Sequence, residues 1–319
     1  MANIKDLAEM AGVSVTTVSR VLNNHPYVSD EKRKAVEEAV RALNYQKNIN
    51  AVHLSRGKTM LIGVVLPFTD HSYFSLILKG IANQAMRENY KIVLFQTGYK
   101  KEREIEALQL LKQKQIDALI ICSRASDLSM IERHTQYGPI ILCEDVQSKS
   151  LSTTYISHYK VFQYALEYLY EKGHRRIGYC IGRRSGTSSS VRQHAYKDFH
   201  EKYHLPYNPA YIIDQCLYVE DGERVIDQIQ RIEKTPTAML VTSDQVAAGM
   251  IISSQRNELS IPGDLAIIGF NNEAIAGIMD ITTIEIPLTE MGKNLFRQAL
   301  GEKVSHHEFK EKLIERGTV

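Results

Sequence analysis

Tryptophan is absent from the 319 residues, proline is scarce at eight, and there are only four cysteines. Cys122, Cys143, Cys180 and Cys216 are widely scattered, three of them in or beside apolar runs, and no C-x-x-C pair occurs. That excludes a disulfide-stapled scaffold and suits buried thiols in a reducing cytoplasm. His306 and His307 form a pair with no other ligand types nearby, so they read as surface residues and no metal is expected. No run of about 18 apolar residues exists, which argues against a membrane span. The opening MANIKDLAEM carries charges where a signal peptide needs an apolar stretch, so a cytoplasmic location is expected. Enzyme fingerprints are also missing. No G-x-G-x-x-G or G-x-x-x-x-G-K-[ST] loop occurs, and Gly182-Arg-Arg-Ser-Gly186 lacks the G-x-S-x-G spacing of a nucleophile elbow. No cofactor is expected.

Charge is nearly balanced, with 39 Lys and Arg against 37 Asp and Glu, but it is unevenly spread. Residues 1–58 hold nine basic against six acidic side chains, whereas the remainder holds 30 against 31. The positive excess lies at the N-terminus, where phosphate attraction would need it.

That segment has a pattern of its own. In NIKDLAEMAGVSVTTVSRVLN, residues 3–23, the apolar Ile4, Leu7, Ala8 and Ala11 recur at helical spacing. Gly12 suits the left-handed turn that ends a helix, and Ser14 can cap a second one. Val18, Val21 and Leu22 face inward in that second helix. Val15, Thr16, Ser19 and Arg20 gather toward its start and outer face. This is a helix-turn-helix pattern, whose second helix can enter a DNA major groove; the alternative is an ordinary helical hairpin with a polar outer face. Ser29 predicts the cap of a third helix carrying Ala35 or Val36, Ala39, Val40 and Leu43. Residues 45–58 turn polar and read as a linker, either with a short helix that orders on binding or as a plain tether.

From Met60 onward, short apolar runs alternate with amphipathic helices. The runs include MLIGVVL (60–66), KIVLFQ (91–96), DALIIC (117–122), PIILC (139–143), RRIGYCI (175–181), TAMLVT (237–242) and DLAIIGF (264–270). Such alternation predicts parallel sheets covered on both faces, and about 260 residues exceed one comfortable sheet. Two doubly wound subdomains facing a cleft are expected, with ligands outside the carboxyl ends of the strands.

Taken together, IKDLAEMAGVSVTTVSRVLN, LNYQKN, IGVVLP, TAMLVTSDQVAAG, LSIPGDLAIIGFNN and the closing KLIERGTV resemble the LacI/GalR family of bacterial transcription regulators over essentially the whole chain. The resemblance implies a helix-turn-helix domain at 1–45, a hinge at 46–58 and an effector-binding and dimerisation core at 59–319. It divides that core into an N-subdomain (about 59–157 and 286–303) and a C-subdomain (about 158–285 and 304–319), similar to periplasmic binding proteins. By position, Val15, Thr16 and Arg20 would read base edges in the major groove, and Thr17, Ser19 and Asn23 would contact phosphates. Ala51 and Leu54 would enter the minor groove from the hinge, Leu54 as a wedge that kinks the duplex. Tyr73, Phe74, Glu144, Arg192, Ser243, Asp244 and Asn271 would hold the effector.

The sequence departs from the family pattern at several places. Lys47 stands where the hinge usually has proline, Val52 where it has arginine, Ala195 replaces a glycine, and Asn271 replaces an aspartate. The implied function is a sequence-specific DNA-binding regulator, a repressor acting as a homodimer or tetramer on a near-palindromic operator. A sugar or related metabolite would tune its affinity by induction or co-repression. The competing readings are a cytoplasmic enzyme on a doubly wound fold and a solute-binding protein. The missing catalytic motifs oppose the first; the N-terminal head and absent signal peptide oppose the second.

Overall fold

Helix α1 (Ile4–Met10) starts at Asn3, whose side chain accepts the Lys5 and Asp6 N–H groups while the Asp6 carboxylate accepts the Asn3 N–H at 2.8 Å. This reciprocal box satisfies donors that a helix start otherwise leaves unpaired. Gly12 then turns the chain at φ +65°, and Ser14 caps α2 (Val15–Leu22) by accepting the Thr17 N–H at 3.2 Å. Helix α3 (Asp30–Ala42) begins after Ser29, which stands at the cap position without making the expected side-chain capping bond; Asp30 and Glu31 supply first-turn negative charge. Leu7, Ala8, Val18, Val21, Val36 and Ala39 close a small core, so Val36 rather than Ala35 is the inward residue of that turn.

This computed structural model describes residues 2–46 and 57–319, which fall into two compact units, one within the first 59 residues and one from Met60 to Val319. Ala51 and Leu54, with the departures at Lys47 and Val52, lie outside the described residues.

The second unit contains two six-stranded sheets. In the first lobe the strands are β1 (Leu61–Leu66), β2 (Lys91–Gln96), β3 (Ala118–Ile121), β4 (Ile140–Leu142) and β5 (Ser152–Ile156), with β11 (His306–Phe309) returning later. Their order is β11-β5-β4-β3-β1-β2, all parallel. The second lobe has β6 (Ile177–Cys180), β7 (Ile212–Ile213), β8 (Ala238–Val241), β9 (Ala266–Phe270) and β10 (Thr283–Glu285), plus β12 (Lys312–Ile314). Its order is β12-β10-β9-β8-β6-β7, with β12 antiparallel. Each lobe thus reverses strand order beside its first strand, and that reversal opens a crevice at the carboxyl ends.

Helices cover both lobes. In the first lie α4 (Ser72–Arg87), α5 (Lys101–Lys112), α6 (Leu128–His134) and α12 (Leu288–Leu300); in the second, α7 (His158–Glu171), α8 (Thr187–Lys202), α9 (Asp221–Gln230), α10 (Asp244–Arg256) and α11 (Ala274–Ile278). A glycine pair sets one close helix crossing in each lobe. A Cβ on Gly292 of α12 would lie 2.1 Å from the Ile77 carbonyl of α4, and one on Gly249 of α10 would lie 1.9 Å from the Val219 carbonyl before α9.

One expected boundary is corrected. The resemblance places the segment from residue 304 in the C-subdomain, yet His306–Phe309 pairs in parallel with Thr153–Ile156 of the first lobe. Thr153 Oγ1 meets His306 Nδ1 at 2.8 Å, which fixes this edge pairing; only β12 joins the second lobe. No helix among the described residues is long and apolar enough to cross a membrane.

Candidate functional site

Two features combine residue types that a stable fold alone does not require. The first is the outer face of α2. Val15, at the first position of that helix, is 41% exposed although it is β-branched and apolar, so it is not a core residue. Thr16 and Arg20, one turn apart, are exposed beside it. Thr17 Oγ1 lies 2.9 Å from the capping Ser14 hydroxyl, and the Asn23 amide donates to the Ser19 carbonyl at 2.9 Å. Side-chain bonds therefore hold both ends of the helix, and Val15, Thr16 and Arg20 are left exposed.

The second is a cleft of about 260 Å³ in the two-lobed unit. Its first wall follows β1, β2, β3 and β4: Phe68, His71, Tyr73 and Phe74, then Tyr99, then Cys122 to Arg124, then Cys143 and Glu144. Its second wall follows β6 and runs into α8: Gly182, Arg183, Gly186 to Ser189 and Arg192, with His158, Cys216, Leu217 and Thr242. Both walls are the carboxyl ends beside the strand-order reversals, where doubly wound folds place ligands.

Of the residues predicted for this site, Tyr73, Phe74, Glu144 and Arg192 line the cleft. Tyr73 packs edge-on to Phe74 at 5.1 Å and its hydroxyl meets the Cys143 thiol; burial pushes that phenol above its ordinary range. Glu144 is not a free acceptor, because Arg124 grips it through two nitrogens at 2.7 and 3.3 Å. Arg192 donates to His158 Nδ1 at 3.2 Å. Burial, reinforced by that guanidinium, pushes the His158 imidazole well below its ordinary range and keeps it neutral, which is the form that accepts this bond.

Ser243, Asp244 and Asn271 are not among the residues lining this cavity, and each is buried and bonded within the fold. Ser243 caps α10. Asp244 is fully buried, accepting the Glu273 N–H at 2.7 Å and the Thr283 hydroxyl at 2.6 Å, and burial raises its carboxyl to about 7. Asn271 has φ +95° and donates from Nδ2 to Glu273 Oε1 at 3.3 Å. Asparagine tolerates this left-handed turn better than most residues.

Sequence reasoning missed Tyr99, Ser123, Arg124, His158, Cys216, Leu217 and Thr242. Tyr99 and Arg124 follow the runs at 91–96 and 117–122, so strand-end position alone would have found them. The lobes meet across the cleft through polar and aromatic links. Arg124 Nη2 donates to Thr187 Oγ1 at 3.2 Å, Ser72 Oγ to Glu273 Oε1 at 2.6 Å, and the Tyr218 hydroxyl to Asp70 at 3.3 Å. The Arg183 guanidinium stacks 3.5 Å over the centre of the Tyr99 ring.

Comparison with known proteins completes the picture. Residues 3–48 match the model of bacterial regulatory proteins of the lacI family, and residues 59–313 match that of periplasmic binding proteins and the sugar-binding domain of the LacI family. The HTH-type transcriptional regulator YkvZ of Bacillus subtilis (strain 168) is 42% identical, with 100% of both chains aligned. NtdR, the NTD biosynthesis operon regulator of the same organism, is 36% identical over 92% of this chain and 90% of its own. The Lac repressor dimer bound to operator and the anti-inducer ONPF shares the fold with a TM-score of 0.82, at 24% identity over 99% of this chain and 98% of that one. The helical head, the two-lobed core and these relatives agree: the chain belongs to the lacI family of bacterial regulatory proteins and is a transcriptional regulator with a helix-turn-helix DNA-binding domain and an effector-binding domain.

Proposed function

We propose that this regulator is a cytoplasmic repressor without catalytic activity, which binds a near-palindromic operator as a homodimer and is controlled by a small metabolite in the cleft. The observation that carries the DNA half is the outward face of α2. An exposed valine and threonine in the first turn of a capped helix, with an exposed arginine one turn further on, serve no core, yet they suit base edges. Arg20 can pair bidentately with guanine O6 and N7, and the methyl groups of Val15 and Thr16 can touch thymine methyls. Thr17, Ser19 and Asn23 border phosphates in this reading, and Ala51 and Leu54 enter the minor groove.

The cleft carries the regulatory half. Tyr73, Phe74 and Arg192 contact the metabolite, and Glu144 reaches it through its pairing with Arg124. Polar and aromatic links join the lobes at the cleft, so a bound molecule that replaces them changes the lobe angle preferred by the core. Such a molecule shifts a population between two states, by no more than its difference in affinity for them.

Selection from a random duplex library by the full chain tests the DNA half. Enrichment of two inverted half-sites, with affinity falling steeply as salt rises, is the expected result. A library that stays random after repeated rounds would overturn it.

A further inference from the structure

Three guanidinium groups face the cleft, from Arg124, Arg183 and Arg192, and among the described residues Glu144 is the only carboxylate lining it. Arg124 takes that carboxylate through two nitrogens. Arg183 and Arg192 therefore present two positive charges that no carboxylate among the described residues is seen to pair with. Both are held in place. Arg183 is sandwiched between the Tyr99 ring, 3.5 Å from its centroid, and the backbone of Gly186, where a Cβ would come within 2.8 Å of Nη2. Gly186 has φ +120°, a conformation that residues with a side chain rarely adopt, and its bare backbone leaves room beside the guanidinium.

Gly186 is also the residue before α8, a helix of 16 residues. No side chain caps that helix, and its first turn, Thr187 to Ser190, holds no acid. Thr187 and Ser188 line the cleft with hydroxyl groups, and Thr187 Oγ1 already accepts from Arg124, which leaves its proton to donate. Independently, His71 lines the same cleft while 92% buried, and its Nδ1 has no partner among the described residues. A buried polar atom without a partner in a ligand cleft points to a group that a ligand supplies.

From these observations we infer that the metabolite carries a dianionic phosphate ester, held by Arg183 and Arg192 against the first-turn N–H groups of α8. A neutral sugar leaves the two guanidiniums of the second wall without a counter-charge. A single carboxylate neutralises one of them, whereas a phosphate monoester neutralises both and accepts several N–H bonds at once. Phe68, Tyr73, Phe74 and Tyr99 supply the apolar walls for the rest of the molecule, and about 260 Å³ limits it to a small one. The inference deepens the proposed control by a cleft-bound metabolite and rests on that reading.

The test is thermal unfolding of the full chain against inorganic phosphate, acetate and a panel of neutral sugars, all at matched ionic strength. Phosphate should raise the melting temperature saturably and acetate should not. Arg183→Gln should weaken the phosphate response at least tenfold, whereas Arg184→Gln, outside the cleft and paired with Asp214, should leave it unchanged. Ser188→Asp covers the chance that the arginine variant fails to fold. A carboxylate in the first turn suits the unliganded helix, yet it should repel phosphate and remove the response. Equal responses to acetate and phosphate, or a phosphate response that survives in Arg183→Gln or Ser188→Asp, would overturn the inference. Stabilisation by a neutral sugar without any by phosphate would overturn it while leaving the cleft reading intact. No response to any compound would count against both.

Discussion

Replacing Asp244 by asparagine should remove a defined part of the pH dependence of the core's stability. The carboxyl is fully buried, and a Cβ on the facing Gly269 would lie 2.1 Å from its Oδ1, so no water fits beside that oxygen. Two donors reach it, the Glu273 N–H and the Thr283 hydroxyl, and these favour the charged form, but burial outweighs them and raises its pKa to about 7. In the unfolded chain an aspartate releases its proton near pH 4. The folded chain thus holds a proton that the unfolded chain has lost between about pH 4 and 7. Stability from this group is fully present below pH 4 and is lost as pH rises through 7.

With about 1.4 kcal/mol for each unit of difference, the full effect is about 4 kcal/mol, of which about 2–3 kcal/mol falls between pH 5 and 8. Asparagine carries no such proton. Urea unfolding of both proteins at pH 5 and pH 8, followed by tyrosine fluorescence, gives the comparison. The variant should gain about 2–3 kcal/mol on the wild type as pH rises over that interval. His71, His158, His174 and His200, all pushed below their ordinary range by burial, act in the opposite direction but are common to both proteins and cancel in the difference. A stability difference that stays constant with pH would refute the reasoning. Because Asp244 is spent inside the second lobe, the variant should also keep the phosphate response, and its loss in a folded variant would return Asp244 to the cleft.

Other consequences are equally open to measurement. Arg20→Ala should cost about 1–3 kcal/mol at the selected operator and little on random duplex; an equal loss on both would make Arg20 a phosphate contact. Gly292→Ala should destabilise the core by about 1–3 kcal/mol in chemical unfolding, because its Cβ runs into the Ile77 carbonyl and two packed helices must separate; an unchanged midpoint would contradict the close crossing. Iodoacetamide should modify Cys216 first. The neighbouring Cys180 thiol and the Arg224 guanidinium, whose Nη2 is 3.7 Å from Cys216 Sγ, lower its pKa, whereas burial pushes Cys122 up and Cys143 to about 12. Mass spectrometry finding Cys143 labelled first would reverse that order.

Much of this fold was legible because the chain writes its elements in periodic patterns. Each apolar run from 60–66 to 264–270 contains a strand, since strands covered on both faces tend to read as near-continuous apolar runs. β5 escaped notice because its sequence, STTYI, is polar. Thr154 is nevertheless fully buried, with its hydroxyl donating to Gln298 Oε1 at 2.7 Å and accepting from Asn294 at 2.8 Å. Partners from residues some 140 positions away cannot be read locally. β11 was assigned to the wrong lobe for a related reason: HHEF is exposed and short, and only its pairing with β5 decides its place. At the cleft, Tyr73, Phe74 and Glu144, close after strand ends, and Arg192 within α8 line the cavity, whereas Asp244, just after β8, turns inward to Thr283, a partner that the local sequence does not reveal.

The most direct test of DNA recognition governed from the cleft is one titration, the affinity of the full chain for its selected operator with and without a saturating cleft ligand identified by thermal shift. Fluorescence anisotropy at fixed salt should show the ligand changing operator affinity by at least tenfold, with affinity for random duplex unchanged and the effect lost in Arg192→Gln. A ligand that binds the core tightly yet leaves operator affinity the same would contradict it.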